Sequence, residues 1–194
     1  IYLLSDEVYE HICFDGYSHQ SLLRYPDLAA RTFAVSSFGK TYHATGWRVG
    51  YCIAPRDMMD EFLRIHQFIN FSTNAPMQYA IADFLRDCPQ HHHELGNFYQ
   101  QKRDLFCELL KASEFSFKPS SGTYFQLADY SAISDEPDTD FAARLTRENK
   151  VAAIPVSVFY KNPPDQRVVR FCFAKDNDTL GKATERLRKL GFQP

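Results

Sequence analysis

The chain has 194 residues, 44% of them apolar, and it includes 17 Phe and 11 Tyr. This length suits one large domain or two small ones, and the apolar content excludes an intrinsically disordered chain. The formal net charge is −2 without a dense basic cluster, so nothing in the charge supports binding to nucleic acid or to an anionic membrane. No apolar run approaches the roughly 20 residues of a membrane span.

Five widely spaced cysteines form no Cys-x-x-Cys motif. Their odd number and their spacing favour reduced thiols, which predicts a cytoplasmic protein. Three consecutive histidines occupy positions 91–93. Adjacent residues of a helix point about 100° apart, so these three make a poor common metal site. The sequence therefore predicts no bound metal.

The first third of the chain contains three short apolar runs, at residues 1–4, 33–36 and 49–54. Each has the length of a strand, and the first two are followed directly by polar residues. Runs of this kind are typical of strands covered on both faces, with functional groups at their carboxyl ends, in an open α/β sheet. The chain begins inside what reads as a strand, so we expect it to be a fragment whose N-terminal half is absent.

Helical periodicity dominates the middle of the chain. Met58, Phe62, Ile65 and Ile69 repeat at helical spacing, and Asn74 is a candidate cap for the next helix. A longer apolar stripe between residues 95 and 110 predicts a third helix.

The last third predicts a mixed unit. Strands are expected at residues 115–117, 123–128, 151–154 and 168–174, with helices at 139–149 and after a cap at Asp176. We therefore predict three segments: a large-domain part at 1–75, connecting helices at 76–112, and a small C-terminal domain at 113–194.

Two polar clusters follow the first two strands, at residues 5–10 and 36–50. Considered alone, Asp6 after a strand is typical of a helix cap or a solvated turn. Lys40 in a loop is, alone, typical of a solvated lysine. Neither residue indicates a site without further support.

Arg170 differs because it lies inside an apolar strand, on the same face as Val168 and Cys172 by strand alternation. A buried guanidinium is costly unless an anion is paired with it. The partner is expected to be either an internal acid, which would make Arg170 structural, or a bound anion.

Taken together, these clusters resemble the signature of class I/II aminotransferases of the type I pyridoxal-phosphate (PLP) fold. The segments SFGKTY at 37–42, GWRVGY at 46–51 and GTYF at 122–125 are most similar to the methionine and kynurenine aminotransferase group. The resemblance covers essentially the whole chain. It implies an α/β fold class, as the C-terminal part of the type I PLP-dependent transferase fold: part of the large-domain sheet plus the small α+β domain.

The resemblance also implies roles for residues around the cofactor ring. Lys40 would form a Schiff base with pyridoxal 5'-phosphate and transfer a proton at the substrate α-carbon, which requires a neutral amine. Asp6 would pair with the protonated pyridine nitrogen and keep the ring an electron sink. Tyr9, three residues later, would donate a hydrogen bond to the ring's phenolic oxygen.

Anion binding falls to three further residues in this resemblance. Ser37 and Arg48 would hold the cofactor phosphate, and Arg170 would hold the substrate α-carboxylate through paired hydrogen bonds. In the family, the other phosphate-binding turn, the aromatic residue stacked on the ring and the residues supplied across a dimer interface precede the part that this chain matches.

The activity implied is transfer of an amino group from a neutral amino acid, sulfur-containing or aromatic, to a 2-oxo acid, in a homodimer of the complete protein. Two alternatives remain open at this point: a PLP-dependent carbon–sulfur β-lyase, and a regulatory aminotransferase-like domain that binds the cofactor without turnover. This chain alone is expected to bind the cofactor weakly and to be inactive.

Overall fold

The structure, a computed structural model, describes residues 1–191 and separates the chain into two units, Ile1–Gly96 and Asn97–Pro194. The last three residues of the predicted 113–194 segment lie outside the described residues. Among the described residues, no helix is both long and apolar enough to cross a membrane. The predicted division at residues 75 and 112 stays a prediction.

A three-stranded sheet forms the centre of the first unit. Its strands are β1 (Leu3–Asp6), β2 (Thr32–Ser37) and β3 (Gly50–Ile53), in the order β1-β2-β3. β1 runs parallel to β2, whereas β3 runs antiparallel to it. All three predicted strands are confirmed.

Their expected burial on both faces is wrong for two of these strands. Leu4 is 74% exposed and Ile53 is 49% exposed, because nothing within residues 1–191 packs over these side chains. β2, in contrast, alternates buried and half-buried residues, as the central strand of the three should.

The helices of the first half follow the predicted periodicity. Asn74 accepts a hydrogen bond from the Met77 backbone N–H at 3.2 Å, which confirms the predicted cap. The helices are α1 (Pro26–Ala29), α2 (Phe38–Thr41), α3 (Arg56–Ile69), α4 (Ala75–Asp87) and α5 (His91–Leu110).

The second unit contains an antiparallel sheet of β4 (Phe125–Asp129), β5 (Ile154–Pro155) and β6 (Val168–Cys172), in the order β4-β6-β5. The strand expected at 115–117 is reduced to a single bridge between Ser116 and Asp129. β5 has only two residues, and its Pro155 has no N–H to extend the ladder.

Two helices complete the second unit. α6 (Asp138–Arg144) continues as a π-helical turn, Leu145–Asn149, which together match the predicted helix at 139–149. α7 (Asn177–Leu187) begins at the predicted cap, where Asp176 accepts from the Thr179 N–H at 2.8 Å.

The core of this unit lies on one face of β6. Val169 and Phe171 are 0% and 3% exposed, and the Phe171 ring lies 5.9 Å from that of Phe106 on α5. Arg170 occupies the opposite face with Val168 and Cys172, as the alternation predicts, and all three are half-buried. The sheet therefore has one face committed to the core and one that is not.

Gly50 is a position where a side chain cannot fit. A Cβ there would lie 2.5 Å from the Ser36 carbonyl oxygen across the β2–β3 pair. Gly50→Ala should therefore lower the free energy of unfolding by about 1–3 kcal/mol through overpacking. The control is Gly181→Ala in α7, where a Cβ meets nothing within 4 Å. It should raise stability by about 0.5–1 kcal/mol through helix propensity. Denaturant unfolding of both variants tests this, and equal effects would contradict it.

Candidate active site

The predicted cofactor residues of the first unit lie at one end of its sheet, where β1 and β2 end and β3 begins. Asp6 is the last residue of β1, paired with Val35, and Ser37 is the last residue of β2, paired with Gly50. Because β3 is antiparallel, its amino end meets the carboxyl end of β2. Arg48, two residues before β3, therefore comes to the same end, which sequence order alone did not reveal.

Lys40 is the third residue of α2, a single helical turn that begins where β2 ends. Ser37 caps this turn: its Oγ accepts from the Gly39 N–H at 3.1 Å. The Phe38 N–H donates to the Val49 carbonyl at 3.2 Å and joins the turn to the segment that enters β3. Lys40 is half-buried, so its amine is placed by a strand–turn junction and not by a loose loop.

Arg48 follows the 3₁₀ turn Thr45–Trp47 and has a left-handed backbone, with φ of 56°. This conformation is costly for a residue with a Cβ, and such strain clusters at binding sites. Its Nη1 donates to the Thr45 carbonyl at 3.2 Å. A Cβ on Gly39 would lie 3.0 Å from the Thr45 Cα, so glycine at 39 allows the Lys40 turn and the Arg48 turn to approach closely.

Glu10 joins the segment after β1 to the ends of β2 and β3. Its Oε1 accepts from the Ser36 hydroxyl at 2.7 Å and from the Tyr51 hydroxyl at 2.6 Å. Burial, followed by this hydrogen bond, raises the pKa of Tyr51 to about 12, so the phenol stays protonated and donates. Glu10 and Tyr51 both lie within the clusters that carry the family resemblance, but neither was predicted as a site residue.

Glu7 fixes the path of the chain directly after Asp6. It is 7% exposed and accepts hydrogen bonds from the Ser5 hydroxyl at 2.9 Å and the Leu22 N–H at 3.1 Å, while His19 Nε2 lies 3.0 Å away. Burial alone would raise the pKa of Glu7, but its hydrogen-bond partners outweigh burial and lower it.

The turn that contains Tyr9 follows Glu7. The Tyr9 carbonyl accepts from the Ile12 N–H at 2.9 Å, and Asp6 Oδ1 accepts from the Val8 N–H at 3.2 Å. Asp6 is exposed and Tyr9 is half-buried. The structure thus places Asp6 at the last position of β1 and Tyr9 in the turn that follows.

His91 supports the far end of the Lys40 turn. Its Nε2 lies 2.8 Å from the Thr41 carbonyl oxygen, so this nitrogen carries the proton and donates. The Tyr42 ring stacks on the imidazole at 5.4 Å, and the Phe84 ring meets it edge-on at 5.3 Å. The contact joins residues 50 apart in the chain, and no local pattern in the sequence signals it. Within residues 1–191, no group of His, Cys, Asp and Glu side chains could hold a metal ion.

Arg170 is the predicted site residue of the second unit, on the uncommitted face of β6. Its Nε is buried and has no hydrogen-bond partner, and within the described part of this unit no carboxylate pairs with the guanidinium. Two aromatic rings lie over it instead: Phe125 at 4.1 Å and Phe159 at 5.1 Å from Cζ to the ring centroid. The guanidinium is thus in contact with aromatic rings and pairs with no acid among the described residues of this unit.

A cavity of about 480 Å³ opens beside Arg170. Its apolar walls include Phe125, Leu127, Val156 and Phe159. Its lining also includes the polar residues Lys118, Ser120, Thr123 and Gln126. A largely apolar cavity with a few polar groups is typical of a site for a small organic molecule.

Comparison with known proteins agrees with this arrangement of strands and side chains. The sequence profile of the family described as aminotransferase class I and II matches residues 1–187. The chain belongs to this family. The expected α/β fold is confirmed as part of the type I fold of PLP-dependent aminotransferases, and members of the family use pyridoxal phosphate.

Individual relatives are similar over nearly the whole chain. A methionine aminotransferase of Escherichia coli K12 is 51% identical over 190 residues, covering 98% of this chain and 49% of its own length. A kynurenine–oxoglutarate transaminase of Dictyostelium discoideum is 35% identical over 209 residues, covering 97% of this chain and 48% of its own length.

Solved structures show the same similarity in three dimensions. A methionine aminotransferase structure from Escherichia coli superposes with a TM-score of 0.93 at 51% identity, over 97% of this chain and 50% of that one. N-succinyldiaminopimelate aminotransferase from Mycobacterium tuberculosis gives 0.89 at 34% identity, over 97% and 49%. The chain therefore spans about half the length of these relatives.

Glu7→Gln tests the support beneath Asp6. Because the Glu7 pKa is lowered by folding, its ionised form stabilises the fold above its usual pKa near 4.5, and this contribution is lost as pH falls through the lower folded value. We expect the variant to lose about 2 kcal/mol of unfolding free energy at pH 7. The deficit should shrink below pH 4.5.

The measurement is urea unfolding at pH 7, 5 and 3.5. Glu108→Gln is the matched control, because the Glu108 side chain is 71% exposed against 8% for Glu7. It should change little at any pH. A Glu7→Gln deficit that does not vary with pH would refute the role of the ionised carboxylate.

Proposed function

We propose that the complete protein containing this chain is a PLP-dependent aminotransferase. It transfers the amino group of a neutral amino acid, sulfur-containing or aromatic, to a 2-oxo acid. The observation that carries the proposal is the Arg170 guanidinium, whose buried Nε has no partner at the edge of an apolar cavity.

Two partners for Arg170 were possible from the sequence, an internal acid or a bound anion. No acid of the described second unit pairs with it. A guanidinium on a half-buried sheet face without a counter-ion carries a desolvation cost. An amino acid or 2-oxo acid offsets this cost by accepting paired N–H hydrogen bonds with its α-carboxylate. Donor and acceptor both have this carboxylate, so a single arginine serves both half-reactions.

The cavity walls support the choice of a neutral side chain. Phe125, Leu127, Val156 and Phe159 contribute apolar surface, which a thioether or aromatic side chain covers favourably. The names of the two relatives, methionine aminotransferase and kynurenine–oxoglutarate transaminase, agree with this substrate class.

The residues at this end of the first sheet fit pyridoxal phosphate as a donor set. The Ser37 hydroxyl and the Arg48 guanidinium suit its phosphate, and the Asp6 carboxylate suits a protonated pyridine nitrogen. The Tyr9 hydroxyl suits the ring's phenolic oxygen. The cofactor, when bound, supplies an electron sink for the bond being broken at the substrate α-carbon.

Lys40 performs the proton transfer in this proposal. Its Nζ would hold the cofactor through the cofactor aldehyde; once the substrate amine released it, the Lys40 amine would take up and return the proton at the substrate α-carbon. The capped turn and its support by His91 limit where the amine can reach. Positioning of this kind is a large part of catalysis by a general base.

Two further features belong to the proposal for the complete protein. We infer a homodimer from the family resemblance, because in this family residues from the partner subunit complete the site. We infer a cytoplasmic location from the five cysteines, all of which are free thiols in the structure.

Lys40 is tested in the full-length protein by borohydride reduction in the presence of cofactor, followed by peptide mapping. The cofactor should be recovered on Lys40. Lys40→Arg should abolish both the label and turnover, the latter by about 10³-fold or more. Lys111→Arg is the control, since Lys111 is 66% exposed and paired with Glu108, and it should retain both.

Products distinguish the remaining alternatives. With methionine and a 2-oxo acid, the account expects a new amino acid. Pyruvate and ammonia from a cysteine conjugate without an added 2-oxo acid would favour the β-lyase. A label on Lys40 without any turnover would favour a regulatory cofactor-binding domain.

A further inference from the structure

Arg170 poses a positioning problem that the proposed function does not solve. An arginine side chain has about 2 kcal/mol of rotamer entropy, and it grips a carboxylate bidentately only when its plane is held. Internal acids usually hold such a plane, but no acid of the described second unit pairs with Arg170. Other contacts have to fix the orientation of the guanidinium before the substrate arrives.

The two aromatic rings are placed to do this. The Phe125 and Phe159 centroids lie 4.1 Å and 5.1 Å from Cζ, within the range of a cation–π contact. An aromatic ring attracts the cation without pairing with it as a carboxylate does. In the described second unit no acid occupies the guanidinium, and its Nε keeps an unused N–H.

Phe125 is fixed by the sheet and by the turn before it. Phe125 is on β4, directly opposite Cys172 of β6. It is therefore diagonal to Arg170 on the same face of the sheet. Thr123 before it has φ of 64°, a strained value for a β-branched residue, and its Oγ1 accepts from the Phe125 N–H at 3.1 Å. The strand pairing and the turn at Thr123 therefore fix the position of the Phe125 ring.

Phe159 has no such support from regular structure. It ends a three-residue 3₁₀ turn, Ser157–Phe159, and is 61% exposed. A turn of three residues is not stable by itself. Because the Phe159 ring is mostly exposed, its burial contributes little to fixing its position. Its anchor is Asp138, the first residue of α6.

Asp138 is 9% exposed, and its two carboxylate oxygens take both donors of Ser157: the N–H at 2.7 Å and the hydroxyl at 2.5 Å. Both donors of the first residue of the turn are therefore satisfied by one side chain. One buried acid thus fixes the start of the turn whose last residue contacts Arg170.

We infer that Asp138 and Phe159, together with Phe125, are positioning residues for the substrate-carboxylate site: Asp138 anchors the turn, and the rings orient Arg170. This inference rests on the proposed function. The Phe159 ring also contributes an apolar wall to the cavity beside Arg170.

The test uses the full-length protein with its cofactor and two probes of equal shape, 3-phenylpropanoate and the uncharged 3-phenylpropanamide. Dissociation constants are measured for wild type, Phe159→Leu, Phe159→Tyr and Asp138→Asn. Phe159→Leu should weaken the carboxylate about 3- to 10-fold and the amide much less. Phe159→Tyr keeps a ring and should bind both probes as wild type does.

Asp138→Asn should weaken the carboxylate in the same way as Phe159→Leu, because the turn loses its anchor. Should this variant unfold, Phe159→Leu and Phe159→Tyr decide alone, since they replace an exposed side chain. Val158→Ala is the matched control: it truncates the neighbouring residue of the same turn, which is 57% exposed, and should change neither constant.

Arg170→Lys separates this inference from the proposed function. If wild type binds both probes equally well and Arg170→Lys changes neither dissociation constant, the assignment of Arg170 as the carboxylate site is wrong. If Arg170→Lys removes the preference for the carboxylate but Phe159→Leu retains it, only the positioning role is overturned. Equal weakening of both probes by Phe159→Leu would make the ring a cavity wall and would also overturn that role.

Discussion

The proposed chemistry of the second unit depends on a single arginine on the open face of a three-stranded sheet. Val169 and Phe171, on either side of Arg170 in β6, point into the core, so the strand is fixed and the arginine cannot rotate away from the open face. Its guanidinium has no internal counter-ion among the residues described in this unit. In the proposed function a carboxylate from solution completes it, and the largely apolar walls of the adjoining cavity suit the rest of that molecule.

In the first unit the constraint is different, because several predicted cofactor residues have to lie close together at one end of the sheet. The β2–β3 pair brings the segments before and after the Lys40 turn together, and glycine at positions 39 and 50 permits approaches that any side chain would block. Glu7 and Glu10 tie the segment after β1 to its surroundings by accepting hydrogen bonds from the Leu22 N–H and the Ser36 hydroxyl. Support of this kind keeps reactive groups in productive geometry.

Local signals in the sequence were sufficient for most regular elements. Periodicity gave the long helices, polar caps gave two helix starts at Asn74 and Asp176, and strand alternation gave the face of Arg170. Each of these is decided by residues within a few positions of one another. The strand at 115–117 failed because pairing there depends on a partner that offers only Asp129.

Contacts between residues that are far apart in the sequence could not be predicted from local patterns. Ser157 meets Asp138 across 19 positions, and His91 meets Thr41 across 50. The antiparallel direction of β3 brings Arg48 to the end of the sheet where Ser37 lies. This direction also depends on tertiary structure and not on local sequence. A motif marks the predicted site residues, whereas the residues that contact and support them carry no motif and are recognised only once the chain has folded.

The central claim is that the Arg170 guanidinium binds the carboxylate of a substrate. The most direct measurement is the ¹⁵Nε–¹H resonance of Arg170 in the full-length, cofactor-loaded protein, assigned by its disappearance in Arg170→Lys. Titration with 3-phenylpropanoate should shift this resonance saturably, and the matched amide should not. A resonance that stays unchanged while the carboxylate binds, or that shifts equally with the amide, would contradict the account.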